Sequence, residues 1–305
     1  MKILLLGKNG QVGWELQRSL AVLGELVAVD FDSAPPLRAD FTDPDSLASL
    51  VRSVAPDVIV NAAAHTAVDK AEAEPELVFT INATAVETLA REAASCSAWL
   101  VHYSTDYVFD GSGTAPWTET SPTAPLSVYG RSKVASEEAI RASGCRHLIF
   151  RTSWVYAARG ENFAKTILRL ARARDALAVI DDQIGAPTGA ELLADVTAHA
   201  IGLASARPQL SGTYHAVAGG ETSWHGYATH VIEYARRHGD DIRVMADAIK
   251  AIPSAAYKQA APRPRNSRLD TAAFQAAFGL TLPPWQTGID RMLAEVLTPN
   301  EARSA

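Results

Sequence analysis

Only two cysteines, Cys96 and Cys145, occur in 305 residues. That is too few for a disulfide framework, and their separation is not that of a metal site. Both suit ordinary thiols of a reducing compartment. Long apolar runs are missing too. Ile3 to Leu6 meets Gly7 at once, which is too short for a signal-peptide core, and no other stretch approaches a bilayer-spanning length. A cytoplasmic chain with no membrane partner is expected. A basic excess is absent as well: 28 Lys+Arg against 34 Asp+Glu leave a net charge of −6, which argues against nucleic acid as the main partner. The acidity still leaves room for a phosphorylated substrate in a local basic pocket.

What is present is an ordinary globular balance, 48% hydrophobic and 20% charged. The chain is longer than one mid-sized core usually holds, so two lobes are expected. In the first half, short apolar runs alternate with helical patterns. Strands are expected at 3–6, 26–30, 57–61, 98–103 and 147–150. Between them, helices are expected from Val12 to Gly24, from the Asp43-Pro44 start, over 76–94 and over 128–142. Such alternation implies a doubly wound parallel α/β sheet of Rossmann type. Beyond Arg151 the rhythm loosens into helices near 162–174, 189–204, 224–238 and 284–297, with frayed residues from Thr298 to Ala305. A dinucleotide-binding domain over 1–153 and a mainly substrate-binding lobe over 154–305 are expected, a strand near 212–218 rejoining the first.

Gly7, Gly10 and Gly13 stand as G-x-x-G-x-x-G between the first strand and first helix. Glycines there permit a tight turn and close backbone approach, while the helix start offers free N–H groups to a pyrophosphate. Asp30 closes the second strand, about 20 residues past the middle glycine, where a carboxylate can hold the ribose hydroxyls of NADH and repel the extra phosphate of NADPH. A glycine triplet alone also fits a simple turn. Its place after a strand and before an amphipathic helix is what favours a dinucleotide.

Tyr129 and Lys133 lie four residues apart, on one helical face. An ammonium near a phenol lowers its pKa and eases proton exchange. The spacing alone is common on exposed helix faces. Here it follows a dinucleotide loop, and Thr105 ends a strand at the carboxyl edge where ligands bind, able to hold the carbonyl oxygen that Tyr129 would protonate.

Together the loop 7–13, the segment Asp57-Val-Ile-Val-Asn61-Ala-Ala-Ala64 and the Tyr129/Lys133 pair resemble the extended short-chain dehydrogenase/reductase superfamily. The segments 60–72, 103–109, 150–156, 183–195 and 266–270 narrow the resemblance to the dTDP-4-dehydrorhamnose reductase family over nearly the whole chain. The resemblance implies reduction of the C4 ketone of dTDP-4-dehydro-6-deoxy-L-mannose by NADH or NADPH. It implies Tyr129 as general acid, Lys133 as the group that tunes it and grips the nicotinamide ribose, and Thr105 as the group that positions the carbonyl. Gly7, Gly10, Gln11, Val12, Gly13, Asp30, Asp40, Phe41, Ala64, His65 and Thr66 would line the cofactor. Asp106 and Trp154 would face the sugar nucleotide, although Trp154 alone reads as core packing.

Sugar-nucleotide dehydratases of the same scaffold place a second carboxylate after the active-site threonine. Here Asp106 is followed by Tyr107, which favours plain reduction. A C4-epimerase and a non-catalytic NADP-binding regulatory subunit are the alternatives. Retention of Thr105, Tyr129 and Lys133 together favours an enzyme over the regulatory subunit.

The resemblance also implies a structural Mg²⁺ at a homodimer contact, held by Glu15, Glu191 and Glu295. The same residues suit solvated helix positions, and Thr188-Gly-Ala-Glu191 reads as a capping box. Arg263 and Arg265, on the proline-rich loop 261–265, are candidates for the dTDP diphosphate or for a solvated basic loop.

Overall fold

The computed structural model describes residues 1–297, so the expected fraying from Thr298 onward lies outside the described residues. The first apolar run forms β1 (Lys2–Leu6). It is followed by α1 (Gln11–Leu20), β2 (Glu25–Val29), α2 (Pro44–Val54) and β3 (Val58–Asn61). Next come α3 (Val68–Ala71), α4 (Pro75–Phe79), α5 (Ala85–Ser95), β4 (Trp99–Thr105), α6 (Val128–Ser143) and β5 (Arg146–Thr152). The sheet order is β10-β5-β4-β3-β1-β2 with every pairing parallel, where β10 (Gly212–His215) is the late strand expected near 212–218.

Residues of β1 alternate between two cores, as a strand buried on both faces must. Ile3 and Leu5 join Leu16 and Leu20 of α1. Leu4 and Leu6 join Leu47, Leu50 and Val51 of α2 and Leu89 of α5. Chain direction switches at β1, which has β2 on one side and β3 on the other, so the ends of β1 and β3 open the crevice where a ligand binds in such sheets.

The later half supplies β6 (Val155–Tyr156), α7 (Phe163–Ala173), β7 (Leu177–Ile180), β8 (Ile184–Gly185), β9 (Thr188–Gly189) and α8 (Ala190–Ala206). After β10 follow β11 (Thr222–Ser223), α9 (Trp224–Arg237), β12 (Ile249–Ile252), α10 (Ala272–Phe278) and α11 (Trp285–Leu297). Leu193 and Ile201 of α8 and Phe274 of α10 pack on the first face of the main sheet. Helices α7, α9 and α11 build a separate cluster around Leu168, Tyr227, Val231 and Ile289. Among the described residues no helix is long and apolar enough to cross a membrane.

Three local expectations differ from the structure. The helix over 76–94 is interrupted by a π-helical segment, Thr80–Thr84, which carries the buried Asn82. The first helix stops at Leu20, and Leu23 closes a turn onto its carbonyl at 2.9 Å. No capping box forms at α8. Its N-cap is Gly189 with no side-chain bond, because the Thr188 hydroxyl donates to Ala186 O (3.1 Å) and accepts from the Ala218 N–H (3.2 Å).

Candidate active site

The glycine loop begins at Gly7, held at φ +84 with its α-carbon against the chain at Ala62 and Ala63. Gly10 caps α1 with no side-chain bond, and no acidic residue stands in the first turn. The helix start therefore keeps its amides and positive dipole end available to an anion. A Cβ on Gly13 would overlap the Gly7 carbonyl oxygen. Gly13→Ala is accordingly expected to weaken NAD(P)H binding at least ~10-fold and to destabilise by about 1–3 kcal/mol. Fluorescence titration and urea melts measure the two effects.

Two cavities meet along Gly10 and Ala62–Ala64. The first, about 440 Å³, is lined by Gly10, Gln11, Val12, Ala64, Thr66, Thr105, Asp106, Tyr129, Lys133 and Trp154. The second, about 530 Å³, takes in Gly7, Asp30, Asp40, Phe41 and His65. Every cofactor residue expected from the sequence except Gly13 thus lines one of the two, and Gly13 makes room for the loop. The Asp30 carboxylate accepts the amides of Asn9 (3.0 Å) and Phe31 (2.8 Å). Asp40 accepts from the Thr42 hydroxyl and amide, bonds that hold it below the usual carboxylate range. Gln11 Oε1 and Thr152 Oγ1 in the first cavity, and His65 Nδ1 beside the second, are buried with no hydrogen-bond partner among the described residues. Polar atoms so placed suit a ligand rich in hydroxyls and amides, and a nicotinamide dinucleotide fits these residues.

At the carboxyl end of β4, the Thr105 hydroxyl donates to Asp106 Oδ1 (3.0 Å) and accepts the Tyr107 amide (3.2 Å). The Tyr129 hydroxyl lies beside Thr105, and its ring meets Tyr107 edge-on at 5.8 Å. Burial pushes Asp106 up to about 6. Tyr129 differs from the sequence expectation. Burial and then the Asp106 carboxylate hold its phenol well above its ordinary value. Lys133 does not lower it, because the amine is itself buried, is pushed down to about 7 by that burial, and lies 2.9 Å from His102 Nε2.

Trp154 sits in a left-handed conformation (φ +49) and stacks on Trp224 at 3.7 Å, so both indoles line the first cavity. Sequence reasoning missed Trp224, Asn61, Asn82 and His102. The Asn82 side chain accepts the His65 amide (2.8 Å) and donates to His65 O (3.0 Å) and the Ser132 hydroxyl (3.0 Å), tying the cofactor loop to α6. No periodicity marks Asn82, which lies in the π-helical segment.

The basic loop is placed otherwise than expected. Arg263 is paired bidentately with Asp69 (2.6 and 3.1 Å) beside the Tyr107 hydroxyl, and Arg265 lies 3.6 Å from Asp182. Neither lines the 440 Å³ cavity. Glu15, Glu191 and Glu295 do gather at one small cavity beside Tyr156. Arg291 stands 3.6 Å from Glu191 and 4.0 Å from Glu295, however, and Arg18 stands 3.8 Å from Glu15. Among the described residues no three acids, histidines or cysteines are spaced to hold a metal. Mg²⁺ is therefore not supported among the described residues, where Glu191 is pushed up by burial and, against the Arg291 charge, by Glu295, Glu15 and Asp195.

The chain is similar over nearly its whole length to known proteins. The model of the RmlD substrate binding domain family matches residues 1–298. A dTDP-4-dehydrorhamnose reductase of Shigella flexneri is 58% identical over 298 residues, covering 98% of this chain and 99% of the relative. The crystal structure of a dTDP-4-dehydrorhamnose reductase from Clostridium acetobutylicum superposes with a TM-score of 0.86 at 32% identity, over 97% of this chain and 99% of that one. The Bacillus anthracis dTDP-4-dehydrorhamnose reductase, solved in complex with NADP, also gives 0.86 at 31% identity, over 96% and 99%.

Proposed function

The chain belongs to the dTDP-4-dehydrorhamnose reductase family, and we propose that it reduces the C4 ketone of dTDP-4-dehydro-6-deoxy-L-mannose to dTDP-L-rhamnose with NADPH or NADH. One observation carries this: Thr105, Tyr129 and Lys133 open onto the same cavity as Gly10, Gln11 and Val12. Bound there, the nicotinamide supplies a hydride to the carbonyl carbon. Tyr129 Oη gives its proton to the carbonyl oxygen, so the ketone gains one hydride and one proton. Thr105, whose hydroxyl hydrogen goes to Asp106 Oδ1, can turn that hydrogen to the same oxygen. Lys133, one turn along α6 and pushed down to about 7 by burial, returns a proton to the phenolate. Because the phenol is held well above its ordinary value, Tyr129 stays protonated through the neutral range and enters each cycle as the acid.

The paired tryptophans Trp154 and Trp224 offer the flat apolar surface that a deoxy-sugar face or a pyrimidine packs against. With Arg263 committed to Asp69, the diphosphate contact passes to Arg265, whose side chain is 66% exposed. Tyr107 stands where a dehydratase needs its second carboxylate, so elimination of water lacks a group to carry it. The separate core under α7, α9 and α11 supports a division into a cofactor part and a substrate lobe. The proposal extends to a cytoplasmic homodimer on the family resemblance.

NADH and NADPH oxidation with dTDP-4-dehydro-6-deoxy-L-mannose, run beside dTDP-4-dehydro-6-deoxy-D-glucose, tests the assignment. Turnover of the first sugar alone is expected, and no turnover of it refutes the proposal. With Asp30 lining the cofactor cavity, Asp30→Ala is expected to shift the NADPH/NADH ratio of kcat/KM toward NADPH about tenfold, since a like charge against the 2′-phosphate is removed.

A further inference from the structure

Lys133 is buried to 1% exposure on α6, and its Nζ lies 2.9 Å from Nε2 of His102, buried on β4. Groups further back decide which nitrogen carries the hydrogen between them. The Ala63 N–H donates to Asn61 Oδ1 (3.1 Å), which turns the amide so that Nδ2 faces His102 Nδ1 at 3.1 Å. An amide nitrogen only donates, so Nδ1 accepts, and in the neutral ring the hydrogen sits on Nε2. The second neighbour of Nε2 is the Ser136 hydroxyl at 3.1 Å, which gives its own hydrogen to Lys133 O (2.7 Å) and keeps a lone pair toward the imidazole. The ring N–H therefore points at Ser136 Oγ and Lys133 Nζ together. An ammonium has no lone pair to receive it, whereas a neutral amine has.

We infer that His102 is a positioning residue for Lys133: its Nε2–H tautomer, fixed from Ala63 through Asn61, favours the neutral amine and so sets the pH at which the lysine takes up a proton. The inference deepens the proposed reaction, in which Lys133 restores the phenol, and rests on that assignment for its consequence in turnover. Burial acts in the same direction, lowering Lys133 to about 7 against the opposing charge of Glu137. The imidazole stays neutral because burial, then the lysine charge, hold it well below its ordinary value. Other titratable groups around Lys133 do not fill this role. Glu137, on the same helix, is bound by Arg151 of β5 and by Arg141, while Asp106, Tyr103, Tyr107 and Tyr129 line the same cavity as Lys133.

The test follows the Lys133 amine directly by side-chain carbon and nitrogen NMR in the full chain, with the His102 ring nitrogens read in the same wild-type sample. The wild type is expected to show the Nε2–H tautomer. His102→Gln places an amide oxygen within reach of the ammonium and is expected to raise the Lys133 midpoint by about one pH unit. Ser136→Ala leaves the ring N–H to the amine alone and is expected to lower the midpoint by roughly half a unit. A loosened core does not produce shifts of opposite sign. An Nδ1–H tautomer, or midpoints that are unmoved or move the same way in both variants, overturns the inference. Should His102→Gln fail to fold, the wild-type tautomer and the Ser136→Ala midpoint decide. No sugar is needed for these readings, so failure of the proposed reaction and failure of this inference are told apart.

Discussion

Tyr129→Phe is expected to lower kcat for reduction of the keto sugar by about 10²–10⁴-fold, the range a positioned general acid supplies, while NAD(P)H affinity changes little. The separation of the two effects follows from what the ring touches. Tyr129 packs edge-on to Tyr107 at 5.8 Å and belongs to a small apolar cluster with Val78 and Val128, and phenylalanine keeps those contacts. What is lost is the hydroxyl beside Thr105. Removing an oxygen that burial already holds protonated leaves no unpaired charge, so the variant should melt within about 1 kcal/mol of the parent. Single-turnover kinetics with the keto sugar and fluorescence titration with the cofactor separate the effects. Retained turnover would move the proton donor elsewhere. An equal fall in cofactor affinity would make Tyr129 a binding residue only.

The legible part of this site was what lies along the chain. The glycine loop, Asp30, Thr105 and the Tyr129/Lys133 pair are all read from spacing relative to a strand or helix end. The sheet fixes those ends through runs of buried residues such as Ile3 to Leu6. The illegible part depends on side chains from separate elements facing one another. His102 reads as one more residue of a strand, and only the register of β3 against β4, which pairs Asn61 with His102, makes it a neighbour of Asn61. Asn82 meets His65 from within a π-helical segment. The two-residue strands β6, β8, β9 and β11 are too short to show a period. Arg263 reads as an anion-binding candidate because it is a guanidinium on the proline-rich loop 261–265, but its partner, Asp69, comes from 194 residues away. The direction of the Tyr129 shift was misread for a related reason: spacing shows a lysine one turn away but not that both groups are buried.

Glu137→Ala is expected to destabilise the fold by about 3–5 kcal/mol, the effect of removing one member of a buried ion pair. Glu137 is fully buried and accepts from Arg151 Nε (2.9 Å) and Nη2 (2.6 Å), from the Ser104 hydroxyl (2.6 Å) and from Arg141 (3.2 Å). Arg151 is 3% exposed and lies over the Phe109 ring at 5.1 Å, so truncating Glu137 strands a guanidinium where water has little access. Burial alone would raise the Glu137 pKa. The Arg151 bonds and charge, with Ser104 and Arg141, outweigh burial and hold it below the ordinary carboxylate value. An acid depressed in the fold stabilises above its unfolded value and loses that contribution as pH falls through its folded value. The difference between parent and variant in urea unfolding should therefore be full at neutral pH and shrink below about pH 4.5. The paired change Glu137→Leu with Arg151→Met separates charge from packing: apolar side chains of similar volume should recover most of the loss. A double variant as unstable as Glu137→Ala would place the effect in the shape of the β4–β5–α6 junction and not in the buried charge.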